Sequence, residues 1–230
     1  MTGGAGLGPS FDPNRIAAGR PVGAGARRPA WFAALWARAA ATILGFVGLL
    51  YLIEGFDQID ARELDTAGIE PRTVDGLSGI VWAPVLHGGW DHLMSNTLPL
   101  LVLGFLVLLS GVKRGLLATA VIWGVAGVGT WLTGGTGTTH IGASSLVFGW
   151  LTYLICRGWF ARNVGQILLG LVVLVLYGSL LWGVLPGQTG ISWQGHLFGA
   201  MGGVVAGWVL SGDARRKRRG DEVPEFVSPR

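Results

Sequence analysis

The chain has 230 residues, half of them hydrophobic and 13% charged, with a formal net charge of +4. A soluble domain carries about 25% charged residues, so that class is excluded, as is disorder over most of the length. One cysteine excludes a disulfide scaffold, and 40 glycines without a Gly-X-Y period exclude collagen.

The first 30 residues are rich in Gly, Pro and Arg and lack the compact apolar stretch of a signal peptide. A flexible tail is expected over 1–38. Long apolar runs follow, and between His92 and Ser211 the only charged residues are Lys113, Arg114, Arg157 and Arg162. Such runs predict membrane spans at 39–56, 92–109, 116–132, 144–156, 164–184 and 193–210. The expected fold is an all-α polytopic membrane protein of six transmembrane helices over 39–211. The polar segment 57–91 contains Leu77, Ile80, Val81 and Trp82 and is expected to pack at the membrane surface. The glycine-threonine stretch 134–139 reads as a flexible loop.

Basic residues set the orientation. Arg27, Arg28 and Arg38 precede the first span, and the pairs Lys113–Arg114 and Arg157–Arg162 fall between later ones. Arg215, Arg216, Lys217, Arg218 and Arg219 follow the last. Six crossings put all four clusters on one side, which predicts cytoplasmic N and C termini in a prokaryotic plasma membrane. The basic tail over 212–230 then contacts anionic lipid and explains the pI of about 9.8 without a nucleic-acid partner. Tryptophans such as Trp82, Trp90, Trp159, Trp182 and Trp193 fall near span ends, as interfacial anchors do.

Polar groups within spans are costly and mark candidate chemistry. His92 and Asn96 share a helix face at the start of the second span. Ser144 opens the fourth, where unpaired backbone N–H groups can hold an oxyanion; an N-cap serine is the bland alternative. His196 opens the sixth, beside a ridge of Gly195, Gly199, Gly203 and Gly207 at every fourth position, which allows close helix approach. Ser145 and Gly149 form a matching small pair on the fourth span. At about 1.5 Å per residue, Ser144 and His196 both lie roughly 20 Å from the basic boundary, so they can meet.

Serine needs a base to become a nucleophile, and His196 can serve. The spans hold no carboxylate positioned to complete a triad, which predicts a Ser–His dyad. Oxyanion donors are expected from the Ala143–Ser144 backbone and from the side chains of His92 and Asn96. The four histidines lack zinc-motif spacing, so no metal or other cofactor is expected. His140, in the Gly/Thr loop, is expected to face solvent, and Cys156 to be a buried thiol.

These motifs resemble those of the rhomboid intramembrane serine proteases over nearly all of 40–210. His92-x-x-x-Asn96, with His87 before it, is similar to the family's oxyanion-side motif. Gly142-x-Ser144 is similar to its nucleophile motif, with Gly149 at the next small position. His196-x-x-Gly199-x-x-x-Gly203 is similar to its base motif. The resemblance implies a rhomboid-like bundle that hydrolyses peptide bonds in or near transmembrane segments of other membrane proteins, with His87, Gly142, Gly199 and Gly203 supporting the site. Two departures stand out: Ser145 replaces the family's usual Gly after the nucleophile, and 57–91 lacks the Trp-Arg pair of many members. The alternative is a non-proteolytic rhomboid-like protein that binds client transmembrane helices. A proton-relay channel would need polar residues through the inner halves of the spans, which they lack.

Overall fold

The computed structural model describes residues 30–59, 64–188 and 190–212. Its long helices are α1 (Ala30–Ile59), α3 (Trp90–Leu108), α4 (Val112–Thr133), α5 (Ser144–Ala161), α6 (Val164–Tyr177) and α7 (Trp193–Leu210), with a short α2 (Gly76–Trp82) between the first two. Short 3-10 turns cover Leu64–Ala67, Ala83–Val85 and Gly178–Val184. Most of the expected tail 1–38 and of the basic tail 212–230 lies outside the described residues.

α1 starts at Ala30, ahead of the expected span start at 39. The segment Ala33-Ala34-Leu35 followed by Ala37 is built of strong helix formers, and Arg38 is exposed on the helix rather than ending it. α5 also runs further than expected, to Ala161. Arg157 is therefore a helical residue and not part of the connection. It is nearly buried, with Nε donating to Gln166 Oε1 at 3.2 Å and the guanidinium 5.4 Å from the Tyr153 ring centre. The chain turns at Arg162, whose left-handed φ of 49° ends α5, and Asn163 caps α6 by accepting from Gln166 N at 3.0 Å.

α5 is the central element. Leu146, Leu151, Tyr153 and Leu154 are closed off among Leu100 and Leu103 of α3 and Ile122 of α4. α7 packs into the groove between α4 and α5. Gly199 lies against the carbonyl of Ser145, Gly203 against the carbonyl of Gly149, and Gly202 against Ile122. A Cβ at Gly199 or Gly203 would overlap backbone, so the ridge of small residues sets the helix separation. Thr152 Oγ1 reinforces this seam by donating to Ala200 O at 2.7 Å.

α1, α3, α4 and the stretch Val164–Val184 are long and apolar enough to cross a membrane. α5 and α7 reach 18 residues each but fall short of the apolar content of a span. Ser144, Ser145 and Arg157 dilute the first; Gln194, His196 and glycine dilute the second. Apolar length alone thus carries four crossings rather than the expected six.

The segment between α1 and α3 rests on α4. Trp123 Nε1 donates to Ile80 O and Trp131 Nε1 to Thr73 O, both at 2.8 Å, and Gly127 receives the Ile80 side chain. Leu77, Val81 and Trp82 stay exposed. Arg72 Nη1 donates to Gly134 O at 2.8 Å, tying this segment to the 134–143 loop.

Candidate active site

Ser144 is the first residue of α5 and His196 lies in the first turn of α7. The glycine seam brings these two helix starts together, and Ser144 Oγ lies 2.8 Å from His196 Nε2. The other ring nitrogen, Nδ1, lies 3.0 Å from the carbonyl of Gly183. A carbonyl only accepts, so Nδ1 carries the proton and Nε2 is left free to receive the serine hydroxyl. Phe148, one helical turn after Ser144, stacks on the imidazole at 4.0 Å between ring centres and 12° between planes. The ring is thus fixed on one face by an aromatic and at one edge by backbone, with no carboxylate among the described residues bonded to it.

His92 is placed beside this pair by α3. Gly142 adopts φ +116°, and a Cβ there would come 2.8 Å from His92 Cε1 and 2.9 Å from Nε2. Glycine is required twice over, for the backbone conformation and for the approach of the imidazole. Gly88 N donates to His92 Nδ1 at 3.3 Å, so the His92 proton sits on Nε2, the side near Ser144. Asn96 is almost buried, and its Nδ2 donates to His92 O at 2.9 Å, leaving a second amide hydrogen. His92, Asn96, Ser144 and His196 line one cavity of about 420 Å³ with Phe148 and Trp182.

Ala143 corrects the expected oxyanion set. Its N–H donates to His87 Nε2 at 3.3 Å and is occupied. The N–H of Ser144, at the open start of α5, is the remaining backbone donor. His87 acts beneath the site rather than in it. It is 1% exposed, its ring meets that of His92 edge to face at 5.2 Å, and burial pushes its pKa down to about 4.

His140 is a second correction. It is partly buried rather than free in solvent, and both ring nitrogens are engaged. Nε2 lies 2.9 Å from Thr138 Oγ1, and Nδ1 lies 2.7 Å from Ser192 Oγ, the N-cap that accepts from Gly195 N at 3.1 Å. Thr138 Oγ1 donates its hydrogen to Gly135 O at 2.6 Å. His140 therefore donates from Nε2 and accepts from Ser192 at Nδ1. Its backbone pairs in both directions with Ile69 at 3.0 Å. One residue links the segment between α1 and α3, the loop leading to Ser144 and the cap of the His196 helix; burial holds its pKa below the ordinary histidine value.

Sequence reasoning missed Phe148, Gly183 and Ser192. The spacing of Phe148 from Ser144 signals a shared helix face. Gly183 carries no local signal, since only the chain's return after α6 puts its carbonyl at the imidazole.

A rhomboid-domain model matches residues 75–213, which includes every one of these positions. The chain belongs to the rhomboid family. This rhomboid chain is also similar to uncharacterized proteins of Mycobacterium tuberculosis and Mycobacterium bovis, 52% identical over 191 residues, which is 80% of this chain and 80% of each relative. An uncharacterized protein of Mycobacterium leprae is 48% identical over 191 residues, 80% of this chain and 76% of that one. No solved structure matches. Family membership and the apolar helices make it an integral membrane protein.

Proposed function

We propose that this rhomboid is an active intramembrane serine endopeptidase working through a Ser144–His196 dyad. The observation that carries the reading is the 2.8 Å contact between Ser144 Oγ and His196 Nε2, with Nδ1 held by Gly183. His196 Nε2 takes the Ser144 proton as Oγ attacks the carbonyl carbon of a peptide bond. The resulting oxyanion is held by the N–H of Ser144, His92 Nε2–H and the spare hydrogen of Asn96. The imidazolium passes its proton to the leaving amine, and water then hydrolyses the acyl-enzyme with His196 again as base. The Gly183 carbonyl takes the orienting role that a carboxylate has in a triad.

Six crossings support this chemistry best, with the four basic clusters and both termini on the cytoplasmic side and the site near the outer one. α5 is packed among the other helices and α7 turns its start, with Gln194, Gly195 and His196, onto α4 and α5, so their polar starts are shielded from lipid. The substrates are transmembrane segments of other membrane proteins that unwind locally to expose a carbonyl.

Cleavage of a model transmembrane substrate by the purified protein in liposomes tests the reading. Ser144→Ala and His196→Ala are expected to lose cleavage and fluorophosphonate labelling, while Ser145→Ala retains both. An unlabelled wild type that binds a client helix without cutting it would instead establish a non-proteolytic rhomboid.

A further inference from the structure

A second cleft, of about 880 Å³, lies at the end of the bundle opposite Ser144. It forms where the start of α1, the α3–α4 turn and the end of α7 meet. Its polar wall carries Arg38 of α1 and Lys113 and Arg114 of α4. Its apolar wall is made by Trp31, Leu117 and Val209, which are between 47% and 67% exposed. Among the described residues every carboxylate falls between Glu54 and Asp91, at the other end of the molecule. Three cations from two helices therefore converge on a cavity with no described acid to balance them, beside an apolar surface open at the bundle's edge.

We propose that this cleft is a binding site for an anionic phospholipid, with the phosphodiester on Arg38, Lys113 and Arg114 and the acyl chains along Trp31, Leu117 and Val209. A basic pocket between membrane helices meets a charged head group in this way, and the apolar wall distinguishes a lipid from a free anion. A positive margin spread evenly along the membrane face would need no cavity; here the charges share one. The assignment concerns binding only and stands whether or not the protein cleaves peptides.

Binding is read by native mass spectrometry of the full-length protein in micelles, titrated with phosphatidylglycerol, phosphatidylcholine or inorganic phosphate. Phosphatidylglycerol is expected to bind, and the other two to bind far more weakly. With each basic residue worth about 1 kcal/mol near an anionic surface, Arg38→Gln/Lys113→Gln/Arg114→Gln should weaken that binding about a hundredfold. The single change Lys113→Gln, at an exposed side chain, should weaken it about fivefold and serves if the triple variant does not fold. Replacing all five basic residues of 215–219 by Gln is the comparison: the tail is expected to meet anionic lipid at large, so its loss should weaken binding less than the triple cleft variant does. Undiminished binding by the cleft variants, or loss only in the tail variant, would overturn the proposal. So would competition by inorganic phosphate at the lipid's own concentration, which would mean a free-anion site.

Discussion

The α5–α7 pair and helix α6 solve opposite problems in the same molecule. α6 is apolar nearly all round, and Leu168, Leu171, Val172, Val175 and Leu176 face outward. Little of the stretch Val164–Val184 that it opens is buried, and the composition of that stretch alone marks it as long and apolar enough to cross a membrane. α5 and α7 are not among the helices that meet that criterion, and they hold the serine and the histidine. Their polar residues are tolerated because they lie on the faces that protein covers: Gln194 and His196 are buried with the glycines of α7, while Val204, Val205 and Trp208 stay exposed. Most of α5 from Ser145 to Leu154 is buried, and α7 turns glycine toward it so that backbone meets backbone. Lipid selects for apolar side chains, whereas a helix seam selects for small ones. A polar group can sit at membrane depth only where the second rule applies.

The sharpest way to break this contrast is to put bulk into the seam. Gly203→Val is expected to destabilise the protein by about 3 kcal/mol or more and to abolish cleavage, because its Cβ meets the carbonyl of Gly149 and the hydroxyl of Thr152. Unfolding in detergent, read beside substrate cleavage, checks both. A smaller effect is expected from His92→Ala, which removes one oxyanion donor. Cleavage should fall about 10²–10³-fold with the melting temperature little changed, and equal loss of folding would show that His92 only packs.

The buried support of the site is tested by pH. His87 has a folded-state pKa lowered to about 4, so the unfolded chain binds its proton first as the medium acidifies. Its contribution is complete above about pH 6.5 and is lost as pH falls toward about 4, by up to about 3 kcal/mol. Asp65, raised to about 6 by burial and the nearby Asp57 and Glu54, works in the opposite direction. The quantity to compare is therefore the difference between wild type and His87→Gln across that window, where the glutamine oxygen can still accept from Ala143 N. A difference that does not change with pH would count against a neutral buried His87.

His140→Ala should cost about 1–2 kcal/mol by freeing the Ser192 cap and Thr138, and should raise amide exchange at the start of α7. The smallest effect belongs to the outward face of α6. Val175→Ala, at a side chain 84% exposed, is expected to stay within about 0.5 kcal/mol of wild type, as measured by the same unfolding experiment.

Much of this was legible in one dimension. Apolar runs announce α1, α3, α4 and α6 because each side chain there meets lipid or core on its own account. Ser144, His196, His92 and Asn96 were readable because a polar residue at a span's start is conspicuous against apolar neighbours. The four-residue glycine period announced a close contact. The sequence by itself therefore determined the class of protein, the candidate chemistry and the face on which α7 packs.

Tertiary structure decided the rest, since each remaining feature depends on where distant segments return. The proton on His196 is fixed by a carbonyl from the turn after α6, and that on His92 by the N–H of Gly88. The Ala143 N–H looks available in sequence and is taken by a histidine from before α3. His140 sits in a polar loop and reads as solvated, yet its two nitrogens are consumed by partners on either side. A hydrogen bond has direction and only one proton to place, and no spacing along the chain records which group arrives to claim it.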